Sequence, residues 1–431
     1  MREMKDSGIE WIGEIPKEWK LRKIKFLPNN EENSFVDGDW IESPVITDEG
    51  IRYYTTGNIG DGLFKEQGNG YISLNTFKML NCKYAYPGDL VISRLNAPYG
   101  RSCILPNNEE KYVLAVDNVI LRTNEDKRFI CYLTQCLGYQ RAVEDISNGT
   151  TMKRVSRVKL GNISLPLPCI DLQNKIANYL DTKCSEIDAT SEDIQKEISL
   201  LEDYKKSVIT EAVTKGLNPD AEMKDSGSEW IGEIPKHWEI IRIGYILGEI
   251  DRRSITGMEE SLSVSQVLGV VPSSQIAVPS TASTMVGQKI VEPGELVLNK
   301  LKAHLGVCFV SNYKGLVSPD YAVYKANEKV KSKLLEYIFH TASCIWEFKK
   351  YITGVGQGLS RLYTKDLFRI NVALPDMLEQ QQIVSYLDSK CSEIDSLIAD
   401  KKRQLDILAD YKKSLIYEYV TGKKEVPVKD F

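Results

Sequence analysis

The chain repeats two of its own segments almost unchanged, and this repetition limits its possible folds more than any other feature. Residues 4–19 return as residues 223–238 with two substitutions. Residues 179–188 return as residues 386–395 with one substitution. The sequence between these segments differs strongly from one half to the other. Repeated segments that flank dissimilar sequences predict a duplicated fold that carries two different functional surfaces.

Both copies of the second segment lie in long blocks with coiled-coil spacing. In each block, seam positions recur at alternating steps of four and three residues over several heptads, as in a coiled coil. Prolines precede each block, and Gly216 and Gly422 mark the ends, as is common at helix boundaries. We therefore predict two long helices that pair antiparallel within the chain. Pairing with another chain is the alternative.

The repeat divides the chain into four parts. Residues 1–165 are predicted to form a first mixed domain and residues 166–217 a first long helix. Residues 218–372 are predicted to form a second mixed domain, and residues 373–431 a second long helix with a C-terminal tail. The predicted fold class is α+β, with two mixed α/β domains separated by two long antiparallel coiled-coil helices and related by an internal pseudo-twofold repeat.

The composition indicates an ordinary globular protein of a reducing compartment. The 431 residues are 42% hydrophobic and 27% charged, which is typical of globular chains. No stretch approaches the ~20 apolar residues of a membrane helix, and nine scattered cysteines suit reduced thiols. We therefore predict a cytoplasmic protein without a membrane partner. The net charge of −5 argues against wholesale wrapping of nucleic acid but allows a local basic face.

Fragments that imitate catalytic motifs lack the necessary context. Residues 96–99 resemble the Asn-Pro-Pro-Tyr motif of adenine amino-methyltransferases, but no glycine-rich turn for a methyl donor accompanies them. Residues 354–358 alternate glycines without the strand and helix of a phosphate loop. The three histidines lack metal-ligand spacing, and no Cys-x-x-Cys occurs. We predict no catalytic residue, cofactor or metal in this chain; a stand-alone adenine methyltransferase is an alternative.

Basic and polar residues cluster in loops at related places of the two mixed domains. Arginine reads guanine edges, asparagine and glutamine read adenine, and lysine mostly holds phosphate. A solvated surface charge is the alternative for any one of them. Chosen by charge and loop context, the candidates for nucleic-acid contact are Arg52, Tyr54, Asn58, Arg94, Asn96, Arg101, Lys153, Arg154, Arg157, Lys300, Lys302, His304, Gln357 and Arg361.

The chain resembles the specificity subunit of type I restriction–modification systems over nearly its whole length. The resemblance rests on both copies of the Asp-Ser-Gly-x-Glu-Trp-Ile-Gly-Glu-Ile-Pro-Lys-x-Trp string and of the Leu-Asp-x-Lys-Cys-Ser-Glu-Ile-Asp string. It also rests on residues 293–301, followed by residues 315–321. These matches occur in order, and the two strings are duplicated, so the resemblance is specific.

The resemblance implies two target-recognition domains, each reading one half of a bipartite, asymmetric double-stranded DNA sequence. The helices would then act as a ruler for the unspecified spacer. Two methyltransferase subunits would carry S-adenosylmethionine and the adenine N6 chemistry, and two restriction subunits would use ATP and Mg²⁺. The subunit itself would catalyse nothing. Residues 4–19 and 223–238 would pack beside the helix ends or meet the methyltransferase; a local core staple formed by Trp11 and Trp19 is the alternative. A coiled-coil adaptor that never touches DNA is the rival from another class.

Overall fold

The chain forms two compact units, and each of them contains one part of each of the two long helices. The computed structural model describes residues 2–149, 153–276, 285–352 and 361–427. Unit 1 combines residues 1–194 with residues 403–431, and unit 2 is formed by residues 195–402. Because both unit boundaries fall inside long helices, each long helix contributes one part to each unit.

Unit 1 contains a mixed domain of short strands and short helices. Its strands are β1 (Met4–Asp6), β2 (Glu14–Pro16), β3 (Lys20–Lys23), β4 (Phe35–Asp37), β5 (Ile51–Tyr54), β6 (Tyr71–Ile72), β7 (Leu90–Ser93), β8 (Ser102–Ile104), β9 (Tyr112–Leu114), β10 (Asn118–Leu121) and β11 (Ser164–Leu167). Its short helices are α1 (Leu74–Met79), α2 (Lys127–Thr134), α3 (Leu137–Asp145) and α4 (Arg157–Gly161). An antiparallel sheet of order β4-β10-β7-β8 lies beside a second sheet of order β6-β5-β9.

The first long helix, α5 (Ile170–Lys215), leads into the mixed domain of unit 2. The strands there are β12 (Met223–Asp225), β13 (Glu233–Pro235), β14 (Glu239–Arg242), β15 (Leu247–Ile250), β16 (Leu262–Ser265), β17 (Gly269–Pro272), β18 (Lys289–Val291), β19 (Leu296–Asn299), β20 (Cys308–Val310), β21 (Gly315–Val317), β22 (Tyr321–Ala326) and β23 (Asn371–Leu374). The helices that follow are α6 (Ser332–Phe339), α7 (Ala342–Tyr351), α8 (Thr364–Leu367) and the second long helix, α9 (Met377–Val420).

The four-stranded sheet is the largest element that the two mixed domains share. Its order is β15-β22-β19-β20 in unit 2, which matches β4-β10-β7-β8 in unit 1. The register matches as well, because Asn118 faces Ser93 in unit 1 and Tyr321 faces Asn299 in unit 2. Two strand pairs recur as well, β1-β2 as β12-β13 and β3-β11 as β14-β23. In the remaining strands the domains differ: β16-β17 and β18-β21 form two separate pairs in unit 2, where unit 1 has the sheet β6-β5-β9. The duplicated α+β fold is thus confirmed, with a common sheet and unlike loops.

The long helices pair antiparallel within each unit, as predicted. In unit 2, the ammonium group of Lys205 lies 2.7 Å from the carboxylate of Asp395. In unit 1, the equivalent Lys412 lies 2.6 Å from Asp188. Both lysines interrupt the apolar seam, and each is paired with a carboxylate on the opposite helix. Such polar seam positions specify the register of a coiled coil at some cost in stability.

The repeated segment 4–19 and its copy 223–238 pack against the ends of the long helices. Trp19 and Trp238 are both buried. A Cβ added at Gly422, which follows α9, would lie 3.1 Å from the Trp19 ring, and one at Gly216, which follows α5, would lie 3.3 Å from Trp238. Both glycines have positive φ, a conformation that ends helices and that side chains disfavour. Packing beside the helix ends is therefore realised in both units.

The seam of the long helices offers a direct test of what stabilises the units. Leu387 is 0% exposed and belongs to the main core of unit 2, whereas Leu200 on α5 is 68% exposed. We expect Leu387→Ala to lower the free energy of unfolding by about 2–5 kcal/mol, because it leaves a cavity. Leu200→Ala should change it by less than about 0.5 kcal/mol. Denaturant titration of both variants checks this, and equal effects would contradict the seam assignment.

Candidate nucleic-acid interface

One end of each four-stranded sheet gathers charged side chains in the same arrangement. Arg94 follows the last residue of β7, and Lys300 follows the last residue of β19. A later segment returns to each of them: the Val155 N–H donates to the carbonyl of Arg94, and the Leu362 N–H donates to that of Lys300, both at 3.1 Å. The residue before each returning donor is an arginine, Arg154 or Arg361. The two domains therefore place equivalent basic residues at equivalent sheet ends.

Each of these returning arginines is held by an aspartate that immediately precedes a sheet strand. Arg154 forms an ion pair with Asp117, which comes before β10. Arg361 forms an ion pair of 3.2 Å with Asp320, which comes before β22. The side chains of Arg154 and Arg361 keep 41% and 35% of their surface exposed. A guanidinium group carries five N–H donors in a planar fork, so an arginine oriented in this way can still bind a base edge or a phosphate.

In unit 1 the cluster contains two further arginines with different exposure. Arg94 lies 3.1 Å from Asp37, and its side chain is only 6% exposed. Burial lowers the pKa of Arg94, and the nearby Asp37 opposes that shift. Arg157, 3.1 Å from the other oxygen of Asp37, is 38% exposed. Arg94 therefore supports the cluster from inside, while Arg157 shares its solvent face with Arg154.

The corresponding cluster of unit 2 is built on a different set of acids. Lys300 lies 3.5 Å from Glu249 at the end of β15, and the buried Lys289 lies 3.4 Å from the same carboxylate. Asp251 follows in the same loop, and its pKa is lowered, first by the hydrogen bond from Arg253. The position of Lys300 matches that of Arg94, but its ammonium group is a compact point charge rather than a planar fork.

Three candidate residues around β5 point into the first mixed domain. Tyr54, Asn58 and Arg52 are all buried. The Asn58 amide donates to the carbonyls of Lys65 and Gln67 at 3.0 and 2.9 Å. Arg52 donates to the carbonyl of Gly70 and pairs with Glu66. All three use their polar groups to hold the loop after β5, and their contact with DNA stays a prediction.

Arg101 also uses its guanidinium group inside the domain. It is buried and donates to the carbonyls of Ile59 and Thr56 and to three carbonyls of residues 95–98. Burial lowers its pKa. This side chain ties the loop after β7 to the loop after β5. Charge and loop context could not separate such inward arginines from outward ones, because both kinds occur beside turns.

The remaining candidates lie at the surface or outside the described residues. Asn96 is exposed at φ 61°, in the left-handed region. Lys153 is exposed and pairs with Glu144 at 2.9 Å. Lys302 is exposed and His304 is half-buried on the turn after β19. Gln357 lies outside the described residues.

The partner carboxylates of these clusters were missed from the sequence. Asp37 ends the edge strand β4 and Asp251 follows the edge strand β15, whereas Asp117 and Asp320 precede the neighbouring strand. The sequence signal that could have revealed these carboxylates is an acidic residue at the same boundary of equivalent strands in both domains. Within the described stretches, no group of three or more His, Cys, Asp or Glu residues could hold a metal ion. No helix among the described residues is both long and apolar enough to span a membrane.

Comparison with known proteins relates the chain to DNA specificity subunits. It is 24% identical over 435 residues to the provisionally assigned type I restriction enzyme MjaX specificity subunit of Methanocaldococcus jannaschii, covering 96% of both chains. It is 22% identical to the EcoKI specificity subunit of Escherichia coli K12, over 62% of this chain and 59% of that one. Both relatives are named as specificity subunits, and both align over more than half of their length.

Solved structures show the same fold. A chain from a structure of complex assembly and conformational transition in the type I R-M system aligns with a TM-score of 0.71 at 14% identity, covering 95% of this chain and 99% of that one. The HsdS subunit from Thermoanaerobacter tengcongensis aligns with a TM-score of 0.54 at 15% identity, covering 95% and 98%. At such identities the likeness concerns the fold alone.

The family match settles what kind of protein this is. Residues 16–200 and 280–406 match the family model described as type I restriction modification DNA specificity domain. These two stretches make up more than half of the chain and reach into both units. The chain therefore belongs to the type I restriction–modification DNA specificity family, as a DNA-recognition subunit without a catalytic role.

Proposed function

We propose that this subunit reads a bipartite, asymmetric double-stranded DNA target, with one half-site bound by each mixed domain. The observation that supports this most is the equivalent pair of arginine–aspartate contacts, Arg154 with Asp117 and Arg361 with Asp320. Both lie at the same end of the shared sheet, whereas the surrounding loops differ. Two equivalent sheets that carry different loops are suited to bind two different half-site sequences.

The basic residues at these sheet ends are the proposed DNA contacts. Lys153 and Lys302 are exposed, Arg154, Arg157 and Arg361 are partly exposed, and Lys300 is 18% exposed, with Asn96 and His304 beside them. Arginine is proposed to read base edges, because its fork fits the acceptors of guanine. Lysine is proposed to hold phosphates, which fix the register without reading sequence. Gln357 stays a prediction of the same kind.

We further propose that the long helices bind two methyltransferase subunits, one for each unit. In unit 2, Leu200 and Tyr204 of α5 are exposed; in unit 1, the equivalent Ile407 and Tyr411 of α9 are exposed. Each pair is separated by four residues, so both members lie on one helix face. One apolar patch in each unit supports two copies of the same partner.

The chemistry of modification and cleavage is assigned to the partners. S-adenosylmethionine is proposed to bind the methyltransferase subunits, and ATP and Mg²⁺ the two restriction subunits. This chain is proposed to bring none of these cofactors, and to act in the cytoplasm with its DNA. Its contribution is to position the modifying groups on the target.

Co-expression with a cognate methyltransferase subunit tests the proposal. We expect adenine methylation in two short motifs at a fixed separation, mapped by single-molecule sequencing of DNA from cells that express both proteins. Binding of the complex to that target should weaken steeply with salt, because phosphate contacts release counterions. If the protein were instead an adaptor, exchanging the mixed domains would not change a methylation motif. Binding would then depend little on the salt concentration.

A further inference from the structure

Each mixed domain is joined to a long helix of its own unit by the same hydrogen bond. In unit 1, the hydroxyl of Tyr132 on α2 donates to a carboxylate oxygen of Asp181 on α5 at 2.8 Å. In unit 2, the hydroxyl of Tyr337 on α6 donates to Asp388 on α9 at 2.7 Å. The two aspartates occupy the same position of the second repeated segment. Because this contact recurs in both units although their loops differ, it belongs to the duplicated part of the fold.

The hydrogen bonds lie where the junction between domain and helix is incompletely packed. Beside Tyr132 is a cleft of about 390 Å³ that reaches Asp188 on α5, and beside Tyr337 is one of about 540 Å³ that reaches Asp395 on α9. Elsewhere the junction is apolar: in unit 2, residues of α6 share one core with Leu387. Apolar packing holds surfaces together without fixing direction. A hydrogen bond requires a defined distance and angle.

The environment keeps both tyrosines as donors. Burial raises the pKa of Tyr132, and its hydrogen bond to Asp181 raises it further. The same two causes, in the same order, raise the pKa of Tyr337. Both hydroxyls therefore keep their protons beyond neutral pH and remain donors to the aspartate oxygens.

The two junctions differ in how much they depend on the tyrosine. Arg128, one turn before Tyr132, also donates to Asp181 at 2.8 Å. The equivalent Lys333 of unit 2 instead pairs with Glu336 at 2.5 Å, on its own helix. Removing the tyrosine hydroxyl should therefore affect unit 2 more than unit 1.

We propose that Tyr132 and Tyr337 are positioning residues that fix the direction in which each mixed domain leaves its long helix, and so set how strictly the spacer length is enforced. This proposal rests on the proposed reading of a bipartite target. A domain that can turn on its helix reaches a half-site displaced by one base pair. A domain held by the hydrogen bond does not.

The test uses the complete subunit in complex with its methyltransferase. Duplexes carry both half-sites with the native spacer or with a spacer one base pair shorter or longer. We expect Tyr337→Phe to raise methylation at the altered spacers, relative to the native one, by about tenfold, with half-site preference unchanged. Tyr132→Phe should have a smaller effect, because Arg128 still holds Asp181. Asp388→Asn, which keeps an acceptor oxygen, should stay near the wild type.

A matched control removes an equivalent hydroxyl inside the domain. Tyr324 shares a hydrogen bond of 3.0 Å with Thr364, away from the helix junction. Tyr324→Phe should leave spacer preference unchanged even if it lowers stability. The proposal is overturned if Tyr337→Phe keeps the wild-type spacer preference, or lowers methylation equally at all spacers. A wild-type complex indifferent to the half-sites would instead overturn the proposed function.

Discussion

Inserting one heptad into each long helix is expected to lengthen the preferred spacer by about three base pairs while both half-sites stay the same. A heptad adds ~10.5 Å of helix, and three base pairs span ~10 Å at ~3.4 Å each. The insertion points are given by the unit boundaries, after Ile194 in α5 and after Lys402 in α9. Placed there, the added residues leave the described contacts inside each unit intact, and seven residues preserve the seam.

DNA twist makes the expected result more specific. Three base pairs turn the duplex by about 100°, because one turn takes about 10–10.5 base pairs. A single heptad should therefore select its new spacer but modify it less efficiently than the wild type modifies its own. Three heptads, about nine base pairs, come close to a full turn and should recover part of that loss. Methylome mapping of the series measures both spacer and efficiency.

The control for this series is a heptad in one helix only. It would displace one helix against the other and separate either Lys205 from Asp395 or Lys412 from Asp188. Such a variant should lose stability and give no new spacer. Altered half-sites with an unchanged spacer in the doubly lengthened protein would refute the role of the helices as a ruler.

The long helices and the duplicated frame could be predicted because their signals are local and repeated. Heptad spacing reports burial along one helix, and Lys205 and Lys412 stand out as breaks in both seams. The domain–helix contact of Tyr337 with Asp388 could not be predicted. It joins residues 51 positions apart, and nothing in either local pattern indicates the other.

The basic clusters were only partly predictable for a related reason. Arg94 and Arg154 both stand near turns and carry the same charge, so composition treats them alike. In the structure Arg94 directly continues the buried strand β7 and stays inside, whereas Arg154 enters from a returning loop and remains exposed. Which way an arginine points depends on the strand that carries it and on the carboxylate that receives it. Neither the strand nor the carboxylate partner can be inferred from the number of charged residues.

Replacing Arg154 by alanine is expected to lower methylation through the first half-site only, and Arg361→Ala through the second only. One well-placed bidentate arginine contributes about 1–3 kcal/mol to discrimination between bases, so the expected loss is about 5- to 140-fold. The measurement compares methylation rates on duplexes in which one half-site at a time carries single base changes. The arginine variant should no longer distinguish bases at one position of its own half-site.

Two further variants separate base reading from charge. Arg361→Lys keeps the charge beside Asp320 but loses the planar fork, so it should restore affinity without restoring base discrimination. Arg369→Ala removes an exposed arginine of the same domain, paired only at 3.7 Å with Asp366 on its own turn, and should change neither. If Arg361→Ala weakened binding to every sequence alike and reduced the salt dependence by about one phosphate contact, Arg361 would hold the backbone. If it weakened the first half-site as much as the second, the assignment of one domain to each half-site would be wrong.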